Sequence, residues 1–175
     1  MTTTTERSGA VTMKGDPKTL VGEALQVGQK APDFELIGTD MAPKSLQDFA
    51  GKVKILEVVP SLDTSVCDQE TRTFNEKAAN LGDQIAILTI SMDLPMAQSR
   101  WCGAAGVDKV TCLSDFKSHQ FGHDYGLRIK ELGLLARAVI VVDQNDVIRY
   151  MELVPEIADE PDYDAALKAA QDLVS

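Results

Sequence analysis

Cys67 stands where sulfur chemistry is easy to support. It follows the apolar run Val53 to Val59 and the connection Pro60-Ser61-Leu62-Asp63-Thr64-Ser65-Val66, beyond which a polar, helix-prone stretch opens. The segment reads as a strand, a tight turn and a helix whose first turn carries a thiol. The thiolate is the nucleophilic form of cysteine, and the free N–H groups and positive dipole end of a helix N-terminus favour it. Thr64, three residues before the sulfur, can cap the helix and supplies a hydroxyl, while Pro60 stops the strand and offers a rigid apolar shield. Free cysteine is also among the most buried residue types, so packing is the competing reading of any single thiol. A proline, a hydroxyl and a helix start at these spacings favour reactivity.

The elements that must hold Cys67 follow from periodicity. Val53 to Val59 has the composition of a strand buried on both faces and is expected at the centre of a sheet. Thr64 to Leu81 is helix-prone, and at 100° per residue Cys67, Thr71, Phe74, Ala78 and Leu81 share one stripe, which turns Cys67 toward the sheet. Gln84 to Met92 is a second strand. Asp93-Leu94-Pro95 predicts a helix start, with Asp93 as cap and Pro95 in the first turn, running to about Gly103 and carrying Cys102. Lys109 to Leu113 is a short third strand, Asp115 to Tyr125 a helix broken by Gly122, and Leu134 to Val142 a β-branched fourth strand. Asp143 to Asp146 is a turn, Val147 to Leu153 a fifth strand, and Pro161 to Val174 a closing helix. Before these, residues 1–9 read as a flexible tail, and Ala10 to Met13 with Thr19 to Gly22 as a hairpin around Gly15-Asp16-Pro17. Lys30 to Asp48 reads as irregular apart from Phe34-Glu35-Leu36.

That order predicts one domain over residues 10–175 of the α/β class, a mixed central sheet flanked by helices. Helix starts in parallel βαβ units gather beyond the carboxyl ends of the strands, so Cys67 and the Pro95 helix share one edge. Cys102 lies about 10 Å along its helix, whereas a disulfide wants Cα atoms about 5.5 Å apart. Pairing of Cys67 with Cys102 therefore requires local unwinding.

Composition narrows the function. The chain has 175 residues, 44% hydrophobic and 25% charged, with a formal net charge of -10. That charge opposes binding to nucleic acid or to an anionic membrane surface. The Thr-rich start has no apolar core and no run is long enough to span a bilayer, which predicts a cytoplasmic protein. Three cysteines in such a chain are too few for a disulfide scaffold. Cys112 alternates with Val110 and Ser114 in a short strand and reads as a small core hydrophobe. Cys102, Cys112, His119 and His123 raise a zinc alternative, although the cysteine spacing is too wide for a zinc hairpin.

Pro60-x-x-x-Thr64-x-x-Cys67 resembles the peroxidatic motif of the peroxiredoxins. With Asp93-Leu94-Pro95-Met96-Ala97-Gln98-Ser99-Arg100-Trp101-Cys102, Lys30-Ala31-Pro32-Asp33-Phe34, Leu135-Ala136-Arg137-Ala138 and Val154-Pro155-Glu156-Ile157, it is similar to their thiol peroxidase branch, of the atypical 2-Cys type. The resemblance implies a thioredoxin-like fold, a homodimer, reduction of hydrogen peroxide and alkyl hydroperoxides in antioxidant defence, and recycling by thioredoxin. It implies Cys67 as peroxidatic nucleophile and Cys102 as resolving cysteine, joined in a redox-active disulfide. Arg137, Thr64 and the Cys67 backbone N–H would form the donor cradle, with Pro60 shielding the sulfur. No cofactor or metal is implied, because sulfur does the redox work. Met96 stands where many members of the branch have phenylalanine, which alters the apolar rim offered to an alkyl hydroperoxide.

Overall fold

Strand pairing begins near the start of the chain in the computed structural model, which describes residues 4–106 and 109–174. β1 (Glu6–Met13) and β2 (Asp16–Val21) form an antiparallel hairpin. Lys14 and Gly15, both at positive φ, make its turn, so Asp16 and Pro17 belong to the second strand rather than to the turn. The strand also starts inside the stretch expected as tail. Glu6 pairs with Val21, and the Arg7 guanidinium donates to the Gly22 carbonyl at 3.1 Å and to that of Gly126, which fixes this part of the backbone. Residues 1–3 of the expected tail lie outside the described residues.

The segment expected to be irregular contains two short strands, β3 (Leu36–Gly38) and β4 (Pro43–Lys44), and a 3-10 turn at Leu46–Phe49. Next comes β5 (Val53–Val58), buried throughout, then α1 (Ser65–Ala78), β6 (Ile85–Ser91), α2 (Pro95–Ala105) and β7 (Thr111–Ser114). β6 runs parallel to both β5 and β7, which are the pairings two βαβ units demand. α3 spans only Gln120–Asp124, and Gly122 lies within it rather than breaking it. The Asp115 carboxylate accepts from the N–H groups of Phe121 and Gly122 at 3.2 and 2.9 Å, so it anchors a short turn instead of starting a long helix. β8 (Arg128–Ile129), which periodicity did not predict, adds a third strand to the hairpin. β9 (Ala138–Val142) and β10 (Ile148–Leu153) form the expected antiparallel pair, and α4 (Tyr163–Asp172) closes the fold.

The main sheet has the order β10-β9-β5-β6-β7-β3-β4, with β5 between an antiparallel β9 and a parallel β6. Alternation along β5 divides the core. Val53 and Ile55 pack with Phe74 of α1 and Ala166, Leu167 and Ala170 of α4 on one face. Leu56 and Val58 pack on the other with Leu36, Phe121, Tyr125 and Leu20. A third, smaller cluster at the carboxyl edge of the parallel strands joins Val59, Leu62, Cys67 and Cys112, with Trp101 and Cys102 against it. No helix among the described residues is long and apolar enough to cross a membrane.

Candidate active site

α1 starts where the sequence places it because Thr64 caps it. The Thr64 backbone is extended, and its Oγ1 accepts from the Cys67 N–H at 3.3 Å while its hydroxyl donates to the Ser61 carbonyl at 3.1 Å. Two of the three donors expected for the cradle, the Thr64 hydroxyl and the Cys67 N–H, are thus engaged in the cap in this conformation. Pro60, buried two residues beyond β5, begins the connection, and Cys67 lies in the first turn of the helix with no exposed surface.

The loop leading to α2 reinforces this turn in an unexpected way. Asp93 does not cap the helix; Leu94 occupies that position with Pro95 following. The Asp93 carboxylate instead accepts from the Ser61 hydroxyl at 2.7 Å, the Leu62 N–H at 2.8 Å and the Ser91 hydroxyl at 2.8 Å. These bonds tie the Pro60 to Thr64 connection to the end of β6, a stronger use of the carboxylate than an exposed cap.

Arg137, immediately before β9, is 1% exposed and reaches the same place from the neighbouring strand. Its Nη2 donates to Cys67 Sγ at 3.1 Å, its Nε to the Ile157 carbonyl at 2.9 Å, and its Nη1 to Glu70 Oε2. The rigid fork of the guanidinium makes three bonds in different directions possible. Burial pulls the Arg137 pKa down, but the charges of Glu70 and Cys67 outweigh it and hold the group above its ordinary value. Glu70 lies one turn after Cys67 and is fully buried; burial pushes its pKa up to about 7 despite Arg137. Behind it, buried Glu57 takes the hydroxyls of Thr71 and Thr89 at 2.8 and 2.6 Å. Burial, then the charge of Glu70, raises the Glu57 carboxyl well above the carboxylate range.

The Redoxin family model matches residues 26–167. A thiol peroxidase of Oceanobacillus iheyensis is 54% identical over 157 residues, 90% of this chain and 95% of that protein. One from Bacillus subtilis is 52% identical over 164 residues, 94% of this chain and 98% of its own. The chain belongs to the thiol peroxidase branch of the peroxiredoxins. Among solved structures, a peroxiredoxin-like protein from Aquifex aeolicus has a TM-score of 0.88 and 39% identity, covering 95% of this chain and 97% of its own. The thioredoxin-like fold of the peroxiredoxins is thereby shown.

Within this peroxiredoxin, Cys67, Thr64, Pro60 and Arg137 are brought together around the β5–α1 junction. Cys102 is not bonded to Cys67. It is half-buried in α2, and its Sγ lies 3.0 Å from that of Cys112. Cys112 is 4% exposed, in keeping with a core position, but spacing gave no sign of its contact with Cys102. All three thiols are free. Among the described residues no group of three or more His, Cys, Asp or Glu side chains is arranged to hold a metal ion.

Two further contributors escaped sequence reasoning. Glu70 positions Arg137, and its only sequence signal was a charged residue one turn from Cys67 on the inward side of α1. Asp68 holds α1 to α2: it accepts from Trp101 Nε1 at 2.9 Å and from Arg72 Nε at 2.8 Å, while the Arg72 guanidinium lies 5.7 Å from the Trp101 ring centroid. A shallow cleft of about 380 Å³ beside the first turn of α1 is lined by Ser65, Val66, Gln69 and Ala158 to Glu160.

Proposed function

We propose that this thiol-dependent peroxidase uses Cys67 as its peroxidatic nucleophile and Cys102 as its resolving thiol. The Cys67 thiolate attacks the terminal oxygen of a hydroperoxide; the S–O bond forms, the O–O bond breaks, and hydroxide or alkoxide leaves and takes a proton from solvent. Negative charge passes from sulfur to oxygen, so a fixed cation beside both lowers the barrier. The contact of Arg137 Nη2 with Cys67 Sγ at 3.1 Å is the observation that carries this reading. Thr64 and the Cys67 N–H complete the cradle when the cap loosens, and Pro60 keeps the sulfur covered between turnovers.

The Cys102 thiolate then attacks the Cys67 sulfenic acid, expelling hydroxide and forming the Cys67–Cys102 disulfide. In the folded helix the Cys102 sulfur is engaged with Cys112, so α2 must partly unwind and release the Asp68–Trp101 bond. A dithiol, thioredoxin in our reading, reduces the disulfide back to two thiols. Hydrogen peroxide and alkyl hydroperoxides are the substrate class. A reducing cytoplasm suits the three free cysteines. A homodimer is supported by the family and by the exposed apolar Leu94 and Met96 at the start of α2.

Thioredoxin-coupled peroxide consumption tests the assignment. Cys67→Ser is expected to abolish turnover, and Cys102→Ser to allow one peroxide per chain and then stall. Retained turnover in Cys67→Ser would contradict the assignment of the nucleophile, and normal turnover in Cys102→Ser that of the resolving thiol.

A further inference from the structure

The proposed cycle uses two of the three cysteines, and the third, Cys112, lies against Cys102. Cys112 Sγ lies 3.0 Å from Cys102 Sγ while α2 is fully helical, so closing to a disulfide of about 2.05 Å requires a small shift and no unwinding. Cys112 is also fixed. It sits in β7 opposite Thr89 of β6, and the following residues Leu113 and Ser114 pair with β3, so this strand stays in place when α2 opens. The sulfurs of Cys67, Cys102 and Cys112 share one small apolar cluster with Val59 and Leu62.

We propose that Cys112 is a second resolving thiol that takes over the disulfide from Cys67, an inference that rests on the Cys67–Cys102 step above. Cys112 Sγ attacks Cys102 Sγ in the Cys67–Cys102 disulfide. The Cys102–Cys112 bond forms, the Cys67–Cys102 bond breaks, its electron pair returns to Cys67 as thiolate, and the Cys112 proton passes to solvent. One disulfide exists before and after, so no further oxidant is consumed.

Three features drive the transfer forward. Disulfide exchange favours the better-stabilised leaving thiolate, and Cys67 leaves onto Arg137. In the reduced protein the hydrogen bond to Cys102, burial, and the carboxyls of Glu57 and Asp93 push the Cys112 pKa up, and burial and the carboxyls persist when Cys102 is bonded to Cys67. Reduced Cys112 therefore stays a neutral thiol that gains no stability from ionisation, so nothing in its reduced form holds the exchange back at equilibrium. Finally, the Cys102–Cys112 link is compatible with folded α2, whereas the Cys67–Cys102 link is not, so refolding of the helix pulls the exchange toward Cys112. The freed Cys67 can then accept a second peroxide before any reductant arrives.

The test oxidises the full-length protein with one equivalent of hydrogen peroxide in the absence of reductant, quenches in acid, alkylates free thiols and maps disulfides by mass spectrometry. The wild type is expected to yield Cys102–Cys112 with Cys67 alkylated, and Cys112→Ala to yield Cys67–Cys102. With excess peroxide the wild type should consume two equivalents per chain in the fast phase and the variant one, a twofold difference. A wild-type map showing Cys67–Cys102 with Cys112 alkylated, or Cys67–Cys112, overturns the relay alone. Absence of Cys67–Cys102 from folded Cys112→Ala overturns the resolving role of Cys102 and the relay with it, whatever the wild-type map shows. Should Cys112→Ala fold poorly, the wild-type map and stoichiometry decide the question by themselves, with Cys112→Ser as the second variant.

Discussion

Replacing Arg137 by lysine keeps the positive charge near Cys67 and removes the fork. In the wild type three separate N–H groups are committed, to Cys67 Sγ at 3.1 Å, to the Ile157 carbonyl at 2.9 Å and to Glu70. A lysine offers a single nitrogen on a flexible stem, and buried Glu70 is the stronger competitor for it, so the donor aimed at sulfur and peroxide is the one lost. Loss of one transition-state donor costs about 10²–10³ in rate, and a hydrogen bond to a charged group is worth roughly 1.5–3 kcal/mol. The charge that remains offsets part of this, leaving about 2 kcal/mol, or about 30-fold in the rate constant for Cys67 oxidation at about 1.36 kcal/mol per decade. Stopped-flow fluorescence can follow the step, because the single tryptophan, Trp101, packs on the cysteine cluster. A folded Arg137→Lys variant that reacts within threefold of the wild type refutes the claim that the fork, rather than charge alone, activates the site.

Other outcomes follow from the same geometry. Glu70 has a folded pKa of about 7 against an ordinary 4.5, so the native state holds its proton longer; stability from this group is complete below 4.5 and lost as pH rises to 7. Unfolding free energies from denaturant titrations at pH 5 and 7.5 should therefore fall with rising pH by roughly 2–3 kcal/mol more in the wild type than in Glu70→Gln; parallel curves would show that Glu70 is not the group responsible. Asp68→Asn weakens the bond to Trp101 by about 1 kcal/mol and should speed Cys67–Cys102 disulfide formation about fivefold in quenched alkylation assays. An unchanged rate means α2 opening does not limit resolution. Thr64→Val removes the cap of α1 and should cost about 1 kcal/mol, a fall in Tm of about 2–4 °C, with slower peroxide reaction. A Tm loss without a rate effect would confine Thr64 to capping.

Most of the frame was legible because burial on both faces leaves largely apolar text, interrupted in β5 by Lys54 and Glu57. Val53 to Val58 and Ala138 to Val142 could hardly be anything but inner strands, and Thr64 to Cys67 joins a cap, a helix start and a thiol in one short stretch. The misses have a common cause. β3, β4 and β8 are too short to show a period, and they exist because neighbouring strands offer them hydrogen bonds. Asp93 has the sequence signature of a cap, but Ser61, Leu62 and Ser91 present a denser set of donors. Glu70 with Arg137, and Cys102 with Cys112, are pairs made by folding. The first spans α1 and the approach to β9, the second α2 and β7, and no spacing in the chain encodes either contact.

The central claim is that Cys67 is the sulfur that peroxide oxidises. Treating Cys102→Ser with one equivalent of hydrogen peroxide and trapping with dimedone, followed by peptide mass spectrometry, examines that step without the resolution that follows it. The account predicts a sulfenic acid adduct on Cys67, formed as fast as peroxide disappears. An adduct confined to Cys112, or peroxide loss with Cys67 still alkylatable, would contradict it.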